Sequence, residues 1–307
     1  MKKLFVSLLA VALLAGCASN GETGKVSGKI VVYTRDSSSG TREAFEKGIG
    51  FEKELTKDAT EVKSNDDMAA KVGQSVNGIG YTSLSTDFEK NNVKALQYEG
   101  VNASSETVLD GSYKLQRPFV YVTRAEGDFG NDDKQQLIKA FLDFISNSQE
   151  GMEVVKAAGG EVDITKAKPW EEIAKNYPVL NKDNAKITIR TVGSTSVEKT
   201  IKAALEAFSP LAGNVSYTMN QSGSGDAVKY TLGSEKDGAN AGDIGFASRA
   251  LKEDGSEDIS KAMLNGQYCI DAVVAVVNKD NQNITNMTQA QLKDIFTGKT
   301  TNWEDIQ

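Results

Sequence analysis

Short apolar runs alternate with amphipathic stretches along most of this chain. Four of the runs are apolar enough for strands that are covered on both faces of a sheet; they are residues 29–33, 118–123, 187–192 and 272–277. Elsewhere, in residues 134–148 and 197–208, apolar residues recur at the spacing of one helix face. Strands that alternate with helices predict an α/β fold.

Two local signals refine this pattern. Thr288 is followed three residues later by Gln291, a capping box that predicts the start of a helix. Residues 160–186 hold two of the four prolines and many charged side chains, so we expect a linker there.

The first residues have the features of a secretory signal peptide. Lys2 and Lys3 precede an apolar run from Leu4 to Leu14, which is shorter than the ~20 residues that span a bilayer. The run leads into Leu-Ala-Gly-Cys, which resembles a bacterial lipobox. We expect residues 1–16 to be a signal peptide, Cys17 to be lipidated, and residues 17–28 to be a flexible tether on the extracytoplasmic face of the cell membrane. The alternative is an ordinary signal peptide with an incidental cysteine.

Three segments rich in serine, threonine and glycine stand where a strand gives way to a helix. They lie within residues 30–45, 191–208 and 215–233. The first N–H groups of a helix lack internal partners and carry a partial positive charge, so such loops bind anions. A serine or threonine at a helix start can also be only a cap. Because there are three such loops, we favour a shared anion site.

Arg35, beside the first of these loops, strengthens the anion hypothesis. A guanidinium stays charged and can hold two oxygens of a tetrahedral anion at once. The alternative is a surface arginine that pairs with Asp36 or another neighbour.

A fourth segment, residues 241–255, combines a short strand-like core with polar side chains that could face a ligand. The same pattern is typical of a buried strand that ends in a turn. Its polar residues are Asp243, Ser248 and Arg249.

The composition excludes several classes of function. The formal net charge of −7 and the pI near 5.0 argue against a nucleic-acid-binding protein. The 307 residues include no histidine, which excludes Ser-His-Asp and Cys-His nucleophiles, and two cysteines are too few for a closed zinc site. We therefore expect no enzyme, no metal and no cofactor.

Taken together, the segments resemble those of the phosphate-binding lipoproteins of bacterial phosphate ABC transporters. The resemblance implies a type II periplasmic-binding-protein fold, in which two α/β lobes, each a mixed sheet flanked by helices, are joined by two crossing strands and close on a ligand. It also implies inorganic phosphate as ligand, the permease subunits as partners, and a monomer. The matching pieces are YTRDSSSGTREAF, NGIGYTSL, YKLQRPFVYVTR, GSTSV, QSGSG, DIGFASR, VVAVVNKDN and LKDIFTGKTTNW.

The order of these pieces differs from the usual family order, which starts with the GSTS-like segment. Here the SGT segment comes first and the sequence stops at TNWEDIQ, so the chain looks circularly permuted. We expect one continuous lobe, residues 84–272, to carry the GSTS and SGSG loops. The other lobe is then assembled from residues 27–83 and 273–307 and carries Arg35. A rearranged or truncated gene record is the alternative.

The resemblance also implies which residues contact phosphate. These are Arg35, Ser39, Gly40 and Thr41 from one lobe and Thr195, Ser196, Ser222 and Ser248 from the other. Around them we place Asp36, Ser194, Ser224 and Arg249.

Ser248 falls where some family members have an aspartate that accepts a hydrogen bond from protonated phosphate. The acceptors that could replace this aspartate are Asp36, Asp226 and Asp243. The anion could therefore also be sulfate, and a phosphate sensor or surface protein without a transport role is a further alternative.

Overall fold

The computed structural model describes residues 26–306. The expected signal peptide, the lipidation site Cys17 and the tether up to residue 25 lie outside the described residues. Within this range no helix has both the length and the apolar character needed to cross a bilayer.

Four strands of the described residues overlap the predicted runs; they span Val31–Arg35, Gln116–Thr123, Thr188–Gly193 and Asn265–Asn278. In chain order the strands are β1 Val31–Arg35, β2 Thr60–Val62, β3 Gly78–Ser83, β4 Val93–Ala95, β5 Gln97–Tyr98, β6 Gln116–Thr123, β7 Thr188–Gly193, β8 Ser216–Gln221, β9 Ile244–Ala247, β10 Asn265–Asn278 and β11 Asn286–Met287.

The α-helices include the three that the sequence predicted. They are α1 Gly40–Ile49, α2 Asn65–Gly73, α3 Ser105–Leu109, α4 Asp132–Asn147, α5 Gln149–Ala157, α6 Trp170–Ala174, α7 Glu198–Leu211, α8 Asp226–Lys229 and α9 Gln289–Phe296. Short 3-10 helices span Ile164–Lys166, Pro178–Asn181, Thr195–Val197 and Trp303–Asp305. The capping box of α9 is formed by Thr288 and Gln291 as predicted.

One long strand, β10, connects the two halves of the sheet. The strand order is β2-β1-β3-β10-β6-β9-β7-β8, and β4 also pairs with β10. Residues 273–278 of β10 pair antiparallel with β3 and β4, whereas residues 265–272 pair antiparallel with β6. The prediction of a strand at residues 272–277 therefore found only the second half of a strand that runs through both parts of the molecule.

Two main hydrophobic cores divide the chain. The first takes its buried side chains from residues 30–115 and 272–303, and the second from residues 119–269. We call residues 26–115 and 272–306 the first lobe and residues 116–271 the second lobe. The boundary differs from the predicted one at residue 84, because the apolar side chains of β4, β5 and α3 pack in the first core.

The expected linker at residues 160–186 is largely folded. It contains α6 and two of the 3-10 helices, and the side chains of Trp170, Ile173 and Val179 are buried in the second core. These apolar residues, spaced among the charges and prolines, anchor the segment in the core of the second lobe. The prediction of a simple linker was wrong for this reason.

The two ends of the described chain lie side by side in the first lobe. The amide of Ile30 donates to the carbonyl of Thr301 at 2.8 Å, and the amide of Trp303 donates to the carbonyl of Gly28 at 3.1 Å. The ring of Phe296 in α9 packs edge-on against Phe45 of α1, with 4.9 Å between centroids. Residues from both ends thus complete one core.

Replacement of Leu292 with alanine tests this shared core. Leu292 of α9 is fully buried among residues from the other end of the chain. We expect the free energy of unfolding, measured by urea denaturation, to fall by about 2–5 kcal/mol because a cavity is left. The matched control is Leu211→Ala at the end of α7, where the side chain is 45% exposed; there the change should stay within about 0.5 kcal/mol. Equal effects would contradict the shared core.

Candidate functional site

The first two serine-rich loops lead into helices as predicted. Ser39 caps α1 and its hydroxyl accepts from the amide of Arg42 at 3.3 Å. Ser194 caps the 3-10 turn before α7 and accepts from the amide of Ser196 at 3.1 Å. The third loop leads only into the four-residue α8, so its helix is shorter than the sequence pattern indicated.

All three loops meet between the lobes. The hydroxyl oxygens of Thr41 and Ser196 lie 2.9 Å apart, and Nη2 of Arg35 donates to the hydroxyl of Thr195 at 3.1 Å. The amide of Gly225 donates to the carbonyl of Ser38 at 3.4 Å. Each of these hydrogen bonds joins the first lobe to the second, so the loops that the sequence singled out line one common cleft.

Arg35 is the central cation of this cleft and is only 1% exposed. Its Nη1 donates to Oδ1 of Asn65 at 2.8 Å and its Nη2 donates to the carbonyl of Lys63 at 2.9 Å. Nη2 also lies 3.4 Å from Oδ2 of Asp36. The Nε–H group is buried and has no hydrogen-bond partner within residues 26–306. Because a buried charged donor without a partner costs free energy, this group is suited to an incoming oxygen.

Ser248 is the hub of the hydroxyl groups in the second lobe. Its hydroxyl accepts from that of Ser194 at 2.8 Å and lies 3.1 Å from that of Ser224. Its amide donates to the hydroxyl of Ser224 at 3.0 Å. All three side chains are buried, so the hydroxyls satisfy one another and can rotate to donate or accept.

The third loop presents Ser224 to the cleft and turns Ser222 away from it. Ser222 is exposed and donates to Oδ2 of Asp226 at 2.5 Å. Between the two serines, the amide of Gly223 donates to the carbonyl of Gly193 at 2.8 Å and holds the loop against β7. The structure therefore puts Ser224, and not Ser222, beside the hydroxyl group of Ser248.

Gly40 faces this serine cluster at very short range. A Cβ atom at this position would lie 2.3 Å from Oγ of Ser224 and 2.7 Å from Oγ of Ser248. Any side chain would force the loops apart, so the close approach of the two lobes requires glycine here.

Sequence reasoning missed Arg117, which lies on β6 and is almost fully buried. Its Nη1 donates to the hydroxyls of Thr41 and Ser248, at 2.8 and 3.1 Å. Its Nε and Nη2 both donate to Oδ2 of Asp271, which stands opposite it on β10. A lone aspartate inside the apolar run CIDAVV was the available signal, since a buried carboxylate needs a cation.

Asn65 was missed as well. Its amide nitrogen donates to the hydroxyl of Ser196 at 3.1 Å, while its Oδ1 accepts from Arg35. It is the first residue of α2, after the cap Ser64. No sequence feature distinguishes it from an ordinary residue at a helix start.

The three carboxylates that were expected as alternative acceptors already have donors. Asp36 accepts from the amide of Ser38 at 3.0 Å. Asp226 accepts from Ser222. Asp243 is buried between Lys134 and Arg190, with Oδ2 2.7 Å from Nζ of Lys134. Hydroxyl oxygens are therefore the acceptors that the cleft offers most directly.

Arg249 pairs with acidic side chains. Its Nη1 and Nη2 donate to the two carboxylate oxygens of Glu257, at 2.9 and 2.5 Å. Its Nε lies 2.8 Å from Oε2 of Glu43, which belongs to α1 of the first lobe. Arg249 therefore joins the lobes beside the hydroxyl cluster.

Comparison with known proteins places this architecture in a family. The PBP superfamily domain matches residues 18–149 and 179–307. A phosphate-binding protein PstS 2 of Streptococcus agalactiae serotype V is 32% identical over 97% of this chain and 94% of its own length. This chain belongs to the PBP superfamily and to its PstS phosphate-binding proteins. The family is one of solute-binding proteins, and the chain is not an enzyme.

Other members of the family agree in length and fold. A PstS 2 protein of Streptococcus pneumoniae serotype 4 is 31% identical over 99% of both chains. The crystal structure of a phosphate ABC transporter phosphate-binding protein from Streptococcus pneumoniae TIGR4 superposes with a TM-score of 0.66 at 29% identity, covering 91% of this chain and 100% of the other. The predicted two-lobed α/β fold of this family is thus confirmed.

Glu257→Gln tests the structural role of Arg249. Glu257 is buried and also accepts from the amide of Lys252 at 2.8 Å. Loss of its charge leaves the buried guanidinium with a weaker partner, so the free energy of unfolding should fall by about 1.5–3 kcal/mol in urea denaturation. Glu253→Gln, at an exposed position nearby, should change it by less than about 0.5 kcal/mol. A Glu257→Gln protein as stable as this control would rule out the role.

Proposed function

We propose that this protein captures inorganic phosphate between its two lobes and delivers it to the permease of an ABC transporter. The observation that carries the proposal is the buried Nε–H of Arg35, which has no partner among residues 26–306 and belongs to a guanidinium that reaches the hydroxyl of Thr195 across the cleft. The names of the streptococcal relatives and of the pneumococcal structure support phosphate as the anion.

The binding residues in this proposal come from both sides of the cleft. Hydroxyls and amides that now bond one another exchange these partners for phosphate oxygens, and hydrogen bonds to an ionic acceptor are the stronger kind. From the first lobe these residues are Arg35, Ser39, Gly40 and Thr41. From the second lobe they are Thr195, Ser196, Ser224 and Ser248.

Capture proceeds by closure of the lobes. Phosphate that reaches Arg35 in an open cleft gains the hydroxyls of the second lobe only when the lobes approach. The ligand therefore stabilises the closed arrangement by its extra contacts there. The permease can then distinguish loaded from empty protein by shape.

Lipidation of Cys17 holds the protein at the outer face of the membrane in this proposal. The segment between Cys17 and residue 26, where the first lobe begins, then acts as the tether, and the first lobe lies nearest the membrane. The protein acts as a monomer, since both halves of the site are on one chain.

We also propose that the segment order is a natural circular permutation. Two observations support it. The ends of the described chain pair with each other at Gly28–Ile30 and Thr301–Trp303, as permutation requires. The streptococcal relatives align with this chain over nearly their whole length, which supports an order shared with them over a damaged gene record.

Arg35→Ala tests the proposed function directly. Removal of a charge-assisted hydrogen bond costs about 1.5–3 kcal/mol, so phosphate should bind at least about tenfold more weakly in isothermal titration calorimetry of the mature protein. The control is Arg190→Ala. The side chain of Arg190 is 43% exposed, and its partner Asp243 keeps its ion pair with Lys134. The phosphate affinity of this variant should equal that of the natural protein.

The same titrations decide between anions. If the natural protein binds sulfate and not phosphate, sulfate is the ligand and the phosphate proposal is wrong. If Arg35→Ala binds phosphate as tightly as the natural protein, Arg35 is not part of the site. If the purified protein binds phosphate but deletion of its gene leaves phosphate uptake by the cells intact, the alternative of a phosphate sensor without a transport role is favoured.

Gly40→Ala tests closure. The new methyl group collides with the hydroxyls of Ser224 and Ser248. Overpacking of about 1–3 kcal/mol should weaken phosphate binding about tenfold or more in the same calorimetric assay. The matched control is Gly225→Ala in the facing loop, where the nearest atom to a new Cβ lies 4.0 Å away. Equal affinities for the two variants would show that the lobes bind phosphate without this close approach.

A further inference from the structure

We propose that Arg117 is a second guanidinium of the anion site, held in place by Asp271 and shared by both lobes. This inference rests on the proposed function. It concerns a residue that lies on the crossing strands and not in any of the serine-rich loops.

The position of Arg117 follows from the sheet. The strands β6 and β10 run between the lobes, and Arg117 pairs with Asp271 directly across them. Arg117 and Asp271 therefore lie at the edge of the second lobe, next to the points where the chain crosses into the first. A side chain on these strands can remain at the floor of the cleft whether the lobes are open or closed.

The hydrogen bonds divide the guanidinium into two parts. Nε and Nη2 donate to Oδ2 of Asp271 at 3.0 and 2.7 Å, and Oδ1 of Asp271 accepts from the hydroxyl of Ser83 at 2.8 Å. This carboxylate sets the plane of the guanidinium. Nη1 is left to point at the hydroxyls of Thr41 and Ser248, one from each lobe.

Both hydroxyls that Nη1 contacts belong to the proposed phosphate site. A phosphate oxygen that enters between Thr41 and Ser248 comes within reach of Nη1 and offers it an ionic acceptor in place of a neutral one. Charge-assisted hydrogen bonds of this kind are about twice as strong as neutral ones. Because Nη1 contacts one hydroxyl of each lobe, Arg117 can donate to a phosphate oxygen whether the ligand first binds the first lobe or the second.

The positive charges of Arg35 and Arg117 also favour an anion in the cleft. Burial lowers the pKa of Arg35 below its ordinary value, and the nearby Arg117 acts in the same direction. The two cations therefore repel each other inside a buried cleft. Asp271 offsets part of that charge, but it is bound to Arg117 on the far side from Nη1. An anion between the two guanidinium groups relieves the remaining repulsion.

The competing explanation is that Arg117 and Asp271 form an ion pair that only stabilises the fold. Two matched variants distinguish this role from phosphate binding by Arg117. Asp271→Asn removes the ion pair and keeps the charge of Arg117. The double variant Arg117→Met with Asp271→Asn removes the pair and that charge together, and it leaves no buried carboxylate without a cation. The two proteins differ only at residue 117.

Calorimetric titration of both proteins with inorganic phosphate gives the answer. We expect phosphate to bind the double variant at least about tenfold more weakly than Asp271→Asn. Without phosphate, Asp271→Asn should unfold at the lower temperature, because it keeps a buried cation that has lost its carboxylate. Weaker phosphate binding by the more stable double variant therefore could not be a folding defect. Equal phosphate affinities would overturn the inference.

Single variants in the natural chain provide a second test. Arg117→Lys keeps the charge and its attraction to Asp271, so it should bind phosphate more tightly than Arg117→Met. Equal loss in both would also count against the inference, as would no loss in either. If natural protein binds no phosphate, the proposed function fails; if it binds and Arg35→Ala weakens binding while the Arg117 comparisons show no difference, only this inference fails.

Discussion

Two guanidinium groups are buried between the lobes of this protein, and each needs oxygen atoms around it. Arg35 and Arg117 obtain these oxygens from hydroxyls, an amide, a backbone carbonyl and Asp271. Burial of charge is costly unless it is compensated in this way. The position of the serine-rich loops, the glycine at their point of contact and the pairing across the crossing strands all serve this compensation.

The hydroxyl groups suit this role because they can change partners without changing place. Thr41, Ser196 and Ser248 can each donate or accept. Here they bond one another and the arginines, and in the proposed phosphate site rotation of the same hydroxyls would turn them toward the oxygens of the anion. Gly40 lets the two layers of hydroxyls approach closely enough for both arrangements. A cleft of fixed carboxylates and lysines would lack this freedom.

The sequence predicted the elements of this site better than their connections. Apolar runs located four of the strands, and the loops around Ser39 and Ser194 were found because helix starts have a local signature. The pairing of Arg117 with Asp271 depends on the register of two strands 154 residues apart, which no local pattern encodes. Whether Ser222 or Ser224 faces the other hydroxyls depends on how the loop packs against β7, where the amide of Gly223 donates to the carbonyl of Gly193. A shift of two residues in this loop would leave its composition unchanged.

The two lobes also differ in how far apart in the sequence their core residues lie. The second core draws only on residues 119–269, whereas the first needs residues 30–115 together with 272–303. Contacts of high sequence separation form late because the loop between them must close first. The second lobe can therefore fold as one continuous unit, and β10, which ends that unit and enters the first lobe, then brings the C-terminal segment to its partner. Arg117 and Asp271 lie at this junction, and Thr41 of the first lobe contacts Arg117 only when both cores have formed.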